Sequence, residues 1–167
     1  MNLFILRHGL AVERGTAGYA KDADRPLTPK GERKLWQIAE AMEALKLSFD
    51  VILASPYLRA RQTAELVAEG LGARKRVEFT ETLTPRGKSE DLIELLRSRK
   101  PLPESVLLVG HEPYLSELVS TLISGGTQVA LIFKKGGLCK LEVNSLRHGR
   151  CAALAWSLTP KQMALMA

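Results

Sequence analysis

The sequence predicts a three-layer α/β sandwich, a mostly parallel mixed sheet with helices on both faces. Three observations carry that expectation. Short apolar runs at Leu3 to Leu6, Val51 to Ala54 and Val106 to Val109 are bounded by polar, Gly or Pro residues, the pattern of strands buried on both sides. Amphipathic helical segments alternate with these runs. The C-terminal third then changes character: Gly136 to Val143 and Cys151 to Leu158 flank the turn-forming stretch Asn144 to Gly149, as expected of a hairpin at the sheet edge.

In chain order, the first strand leads to a helix from Thr28 to about Leu47, with Leu35, Ile38, Ala39, Met42 and Leu45 on one face. Its start is well signalled. Thr28 can accept a backbone N–H as N-cap, Pro29 suits the first helical position, and Glu32 lies near the positive end of the dipole. After the strand at Val51 comes a helix from about Tyr57 to Leu71, then one from about Ser89 to Arg99. The strand at Val106 precedes a helix from Tyr114 to Ile123, with Leu115, Leu118, Val119 and Leu122 facing inward. Pro56 and Pro113 open two of these helices. The tail after Pro160 reads as a short helix or a loose end. No repeat or linker interrupts the pattern, so one domain is expected over residues 1–167.

Composition narrows the function classes. The chain is 46% hydrophobic and 25% charged, ordinary for a soluble globular domain whose core needs neither metal nor disulfide. Cys139 and Cys151 have no CxxC or Cys/His partner nearby, which makes a reducing cytoplasm the expected setting. The apolar stretch Leu3 to Leu6 is too short for a signal peptide or a membrane span, and no membrane association is expected. A net charge of +6 favours anionic partners. Nucleic acid is not the expected one. The basic runs Arg74 to Arg76 and Arg97 to Lys100 lack interleaved aromatics, and only 5% of the chain is aromatic, so stacking platforms are missing.

In open α/β sheets, ligands bind at the carboxyl ends of the strands, where loops and helix N-termini offer donors to anions. The first predicted strand ends in Arg7-His8-Gly9, the second in Ser55-Pro56-Tyr57-Leu58-Arg59, and the third in Gly110-His111-Glu112-Pro113. Only a parallel sheet brings these together. The three motifs, with Ser55-Pro56-x-x-Arg59-Ala60-x-Gln62-Thr63 as the second, resemble the histidine phosphatase superfamily, the phosphoglycerate mutase-like group, whose signature is RHG after the first strand. Arg25-Pro26-Leu27-Thr28, Leu83-Thr84-Pro85 and the short length look like its SixA-type phosphohistidine phosphatases. The resemblance covers Met1 to about Thr159. It implies a phosphoglycerate mutase-like fold, a nucleophilic His8, and Arg7, Arg59 and His111 completing the catalytic site, with Arg25 able to reach the phosphate.

Elementary chemistry agrees. A neutral imidazole can attack phosphorus in line, and water then hydrolyses the phosphohistidine intermediate. Gly9 permits close approach of backbone to phosphate. Arg7 and Arg59 offer planar forks of donors to the equatorial oxygens, with His111 in a stabilising role, so no metal or other cofactor is required. Each residue also has a plainer reading. A lone strand-end His is ordinarily structural, Arg61 reads as a surface helix residue, Arg25 can instead pair with Asp22 or Asp24, and His148 is expected to be solvated and uninvolved.

The family's general acid between the second and third motifs has no secure match. Glu81 is the nearest candidate, with Glu112 and Glu13 weaker. An alkoxide leaving group needs a proton, whereas phosphohistidine expels an imidazole whose conjugate acid has a pKa of about 6.5. The gap therefore favours phosphohistidine in a protein, such as a histidine phosphotransfer domain, as substrate. The segment between Arg59 and His111 leaves room for one helix and a strand but no large lid, so an open site is expected. The alternatives are a small-molecule phosphomonoesterase using Glu81 as acid, and a phosphate-binding module without turnover.

Overall fold

The computed structural model describes every residue from Met1 to Ala167. Six strands form one sheet: β1 (Asn2–Arg7), β2 (Val51–Ala54), β3 (Val77–Phe79), β4 (Ser105–Gly110), β5 (Leu138–Val143) and β6 (Ala152–Leu158), in the order β3-β2-β4-β1-β5-β6. The pairs β1/β4, β2/β4 and β2/β3 are parallel, and β1/β5 and β5/β6 are antiparallel. This is the mixed α/β sheet that the apolar runs predict, with the hairpin β5–β6 completing one side. The three-residue strand β3 is not delineated by hydrophobic patterning, because its residues are only partly covered or exposed.

Four helices connect the strands and a fifth follows β6: α1 (Pro29–Ala44), α2 (Leu58–Gly70), α3 (Ser89–Arg97), α4 (Tyr114–Ser124) and α5 (Pro160–Met163). The Thr28 side chain accepts from Gly31 N at 3.0 Å, and Pro29 occupies the first turn of α1. That helix stops short of Leu47 because Lys46 turns left-handed at φ 54°. Lys46 N then bonds Glu43 O and Leu47 N bonds Met42 O, a Schellman closure that satisfies the last carbonyls. Gly125 ends α4 at φ 93°, a conformation that costs a side-chain-bearing residue far more.

Successive strand residues point to opposite faces, and two cores result. Leu3, Ile5, Leu53 and Leu108 pack with Leu92 and Leu96 of α3 and Leu115 and Leu118 of α4. Phe4, Leu6, Ile52 and Leu107 pack with Leu35, Ile38 and Met42 of α1 and Ala60, Ala64 and Val67 of α2. Truncating a fully buried leucine such as Leu53 or Leu107 to Ala should cost about 2–5 kcal/mol. The register aligns the carboxyl ends of the strands: Arg7 lies opposite Gly110, and Ala54 opposite Val109. His8 and His111 thus leave adjacent strands at the same level, with Ser55 beside them. No helix is long and apolar enough to cross a membrane.

Candidate active site

At that edge the rings of His8 and His111 lie 5.1 Å apart. His8 Nδ1 is 2.8 Å from the Gly9 carbonyl oxygen. A carbonyl can only accept, so the Nδ1 position carries the proton and Nε2 keeps its lone pair. Into that lone pair Arg59 donates its Nε–H at 3.3 Å. Burial is the main reason the His8 pKa falls to about 2, with the charges of Arg59 and Arg7 and the neighbouring His111 adding to it and the Gly9 hydrogen bond opposing it. His8 is therefore neutral at physiological pH. It is also only 6% exposed, so the ring is packed in at the strand ends and little of it meets solvent.

His111 Nε2 sits 2.9 Å from Ser55 Oγ, which also accepts from Tyr57 N at 3.3 Å. The buried Ser55 hydroxyl has no other acceptor, so it donates to Nε2 and the His111 proton resides on Nδ1. That nitrogen is buried without a partner, as is Arg7 Nε. Both atoms suit an oxyanion. His111 is held at a pKa of about 3, first by burial and then by the Arg59 charge. Tyr57 lies edge-on to His111 at 5.3 Å and beneath the Arg59 guanidinium at 5.4 Å.

Arg7 donates from Nη1 to Phe133 O at 2.7 Å, which ties the loop before β5 to the site. Arg59 comes from the first turn of α2 and is 3% exposed. Burial pulls Arg7 and Arg59 below the usual arginine value, and Glu112 and Asp22 respectively oppose the shift; both remain cations. The rest of the second motif is architectural. Thr63 Oγ1 accepts from Gly9 N at 3.0 Å and donates to Arg59 O at 2.6 Å, and Gln62 Oε1 accepts from Leu27 N at 2.8 Å.

Gly9 also has a packing role. Its N–H is already taken by Thr63, and a Cβ there would stand 2.8 Å from Leu35 Cδ1 and 3.2 Å from Leu27 Cδ2. The missing side chain makes room for the packing of α1, while the Gly9 carbonyl orients His8. Of the two partners open to Arg25, the structure selects Asp22: Nε and Nη2 reach Oδ1 at 2.9 and 2.7 Å, and Nη1 reaches Val12 O at 2.6 Å. Asp22 also meets Arg59, with Nη2 on Oδ2 at 3.0 Å and Nη1 on the backbone oxygen at 2.7 Å. Burial alone would raise the Asp22 carboxyl, but the Arg25 hydrogen bonds and the Arg59 charge and hydrogen bond outweigh it and hold the pKa at about 2. Sequence reasoning names Asp22 only as a partner of Arg25. Two acidic residues beside Arg25 were the available signal, and nothing local told which one faces Arg59.

None of the three candidate acids bonds to the histidines or arginines of the cleft. The Glu81 side chain is exposed on the turn after β3. Glu112 accepts from Ser116 N at 2.9 Å and Ser116 Oγ at 2.7 Å, capping α4. Glu13 is exposed, and its carbonyl closes a turn with Thr16. Arg61 pairs with Glu65 at the surface as expected. His148 is not simply solvated: its Nε2 meets Ser89 Oγ at 3.0 Å and Glu90 at 3.3 Å, away from the cleft. No three His, Cys, Asp or Glu side chains group as metal ligands, and both cysteines are free thiols.

Comparison with known proteins agrees with this geometry. The model of the histidine phosphatase superfamily (branch 1) matches residues 3–90. The chain is 29% identical to the phosphohistidine phosphatase SixA of Escherichia coli K12 over 96% of its own length and 94% of that protein. It is 33% identical to the phosphohistidine phosphatase SixA homolog of Haemophilus influenzae, covering 73% of this chain and 77% of the relative. A solved structure of the protein histidine phosphatase SixA complexed with tungstate superposes with a TM-score of 0.79 at 28% identity, covering 96% of this chain and 98% of the other.

Proposed function

The chain belongs to the histidine phosphatase superfamily, and from that premise we propose that this phosphatase hydrolyses phosphohistidine in a protein, with His8 Nε2 as the nucleophile. One observation carries the assignment: a buried, neutral imidazole whose proton is pinned on Nδ1 by Gly9 presents its free lone pair among Arg7, Arg59 and His111. Such a nitrogen needs no general base. In the first step the Nε2 lone pair attacks phosphorus while the bond from phosphorus to the substrate's imidazole nitrogen breaks, and the leaving ring, already protonated on its other nitrogen, takes the electron pair and departs as neutral imidazole. In the second, water attacks phosphorus, the bond to Nε2 breaks with its electron pair returning to that nitrogen, and phosphate leaves with the water's protons, restoring His8.

The remaining groups act by placement and charge. Arg59 releases its Nε–H from the consumed lone pair to a phosphoryl oxygen, Arg7 Nε takes another, and the unpartnered His111 Nδ1–H a third. These donors lie in a buried setting where each counts for more than in water. The exposed Glu81 and the tethered Glu112 leave no acid poised in the cleft, which favours a leaving group that departs with little help. The relatives named for phosphohistidine favour the same substrate class. A histidine phosphotransfer domain, met in cytoplasmic signal transduction, would present such a phosphoimidazole.

The test is to incubate the protein with a radiolabelled phosphohistidine protein and, in parallel, with a panel of sugar phosphates. Transient label on His8 and faster release of phosphate from phosphohistidine are expected. Faster turnover of a sugar phosphate, or a protein that never acquires label, would replace this reading.

A further inference from the structure

Arg59 is held by more than its place on α2. Its Nε–H faces His8 Nε2, Nη2 bonds Asp22 Oδ2 and Nη1 bonds the Asp22 backbone oxygen. The other carboxylate oxygen of Asp22 takes Nε and Nη2 of Arg25 and, at 3.2 Å, Nε of the exposed Arg14. One carboxylate thus draws three arginines together, from the loop between β1 and α1 and from α2. Resting on the phosphatase reading above, we propose that Asp22 is a positioning residue for phosphoryl transfer. It acts through Arg59 and Arg25, fixing the plane of the Arg59 fork against His8 and standing as the anion of the cationic cleft between turnovers.

The geometry explains why the chemistry calls for such a group. A guanidinium carries five N–H donors in one plane. Three of those of Arg59 are spoken for, which fixes the plane, and one on each Nη remains free to meet a phosphoryl group. When Nε2 bonds phosphorus, the Nε–H must move to a phosphoryl oxygen, and a plane already fixed by Asp22 makes that exchange a small displacement. Charge works in the same direction. Arg7, Arg25 and Arg59 all act electrostatically on His111, and Asp22 is the acidic group that opposes them there. Without its carboxylate the cleft gains net positive charge, which strengthens the binding of substrate and product phosphate alike. Binding that is uniform in this way does not speed the chemical step.

The proposal predicts a split that a merely structural residue would not produce. Asp22→Asn should lower kcat on a phosphohistidine protein by about 10- to 100-fold, while tungstate, used as the phosphate probe, binds about tenfold tighter. Asp22→Glu keeps the charge but displaces the fork, so its kcat should fall while its tungstate affinity stays within about twofold of the parent. Turnover, tungstate titration by calorimetry and thermal midpoint should be measured on the full chain for all three proteins. An Asp22→Asn protein with parental kcat would overturn the proposal, as would one that binds tungstate more weakly with a lowered midpoint. If Asp22→Asn does not fold, Asp22→Glu decides: lowered kcat with parental tungstate affinity supports the proposal, and parental kcat overturns it. Should the parent protein take no label on His8 from phosphohistidine, the functional reading fails. The tungstate comparison then still tests Asp22.

Discussion

Arg59 donates its Nε–H to His8 Nε2 across 3.3 Å in a setting where both side chains are almost wholly buried. The cation therefore marks the nitrogen that attacks, and it also resists protonation of that nitrogen. The two effects keep Nε2 unprotonated near neutral pH, with its lone pair held by Arg59.

His8→Ala should abolish turnover and prevent phosphoenzyme formation. Because His8 is buried, the substitution also leaves the Gly9 carbonyl and Arg59 Nε without partners, so a loss of about 1–3 kcal/mol in unfolding free energy is expected. Denaturant titration beside the activity assay checks both, and a fully active, folded His8→Ala protein would refute the nucleophile assignment.

Stability should fall in acid. His8 and His111 have folded pKa values of about 2 and about 3, below the unfolded value of about 6.5. Their burial as neutral rings is fully tolerated above that unfolded value. As pH drops through it the unfolded state binds protons that the folded state refuses, at up to about 1.4 kcal/mol per pH unit for each ring. Unfolding measured between pH 7.5 and pH 5 should show this slope, and His8→Ala should reduce it. Saturating tungstate should reduce it too, since a bound dianion raises the pKa of His111.

Arg59→Lys and Arg7→Lys should each lose about 10²- to 10³-fold in kcat, the usual effect of removing one oriented donor to a transition-state oxyanion. Lysine restores charge but not the planar fork, which at Arg59 meets His8 and Asp22 at once and at Arg7 holds the Phe133 carbonyl. Kinetics that differ from the parent by less than tenfold would show that charge alone suffices.

Glu81→Gln, Glu112→Gln and Glu13→Gln should each retain phosphohistidine phosphatase activity within about tenfold, less than a general acid commonly contributes. Glu112→Gln should in addition soften the start of α4, where the carboxylate holds Ser116. A loss near a thousandfold for Glu81→Gln on phosphohistidine would make proton donation essential and favour an ester substrate.

Ile132 is 88% exposed beside Phe133, whose carbonyl oxygen Arg7 holds, and is followed by the exposed Lys134 and Lys135. A protein substrate would meet this rim where a small one would not. Ile132→Ser should raise KM for a phosphohistidine protein several-fold and leave turnover of free phosphohistidine unchanged. Equal effects on both substrates would argue against contact at this rim.

The strands other than β3, the four longer helices and the hairpin were legible in the sequence because each rests on local periodicity or on a local signal such as Thr28-Pro29. The convergence of Arg7, His8, Arg59 and His111 was also legible, since parallel strands ending in polar motifs must bring those motifs to one edge. Short-range pattern could not reveal the burial of His8, the choice of Asp22 over Asp24, or the exposure of Glu81. Nor could it reveal that the Gly9 face is filled by Leu35. Those were decided by packing between distant segments: Asp22 and Arg59 are 37 residues apart, Ser55 and His111 56, and Arg7 and Phe133 126. A hydrophobic period says which face of a segment turns inward. Which donor meets which acceptor, and how far each is desolvated, is set only when the loops between segments close over the strand ends, and these two things determine the proton positions in the cleft.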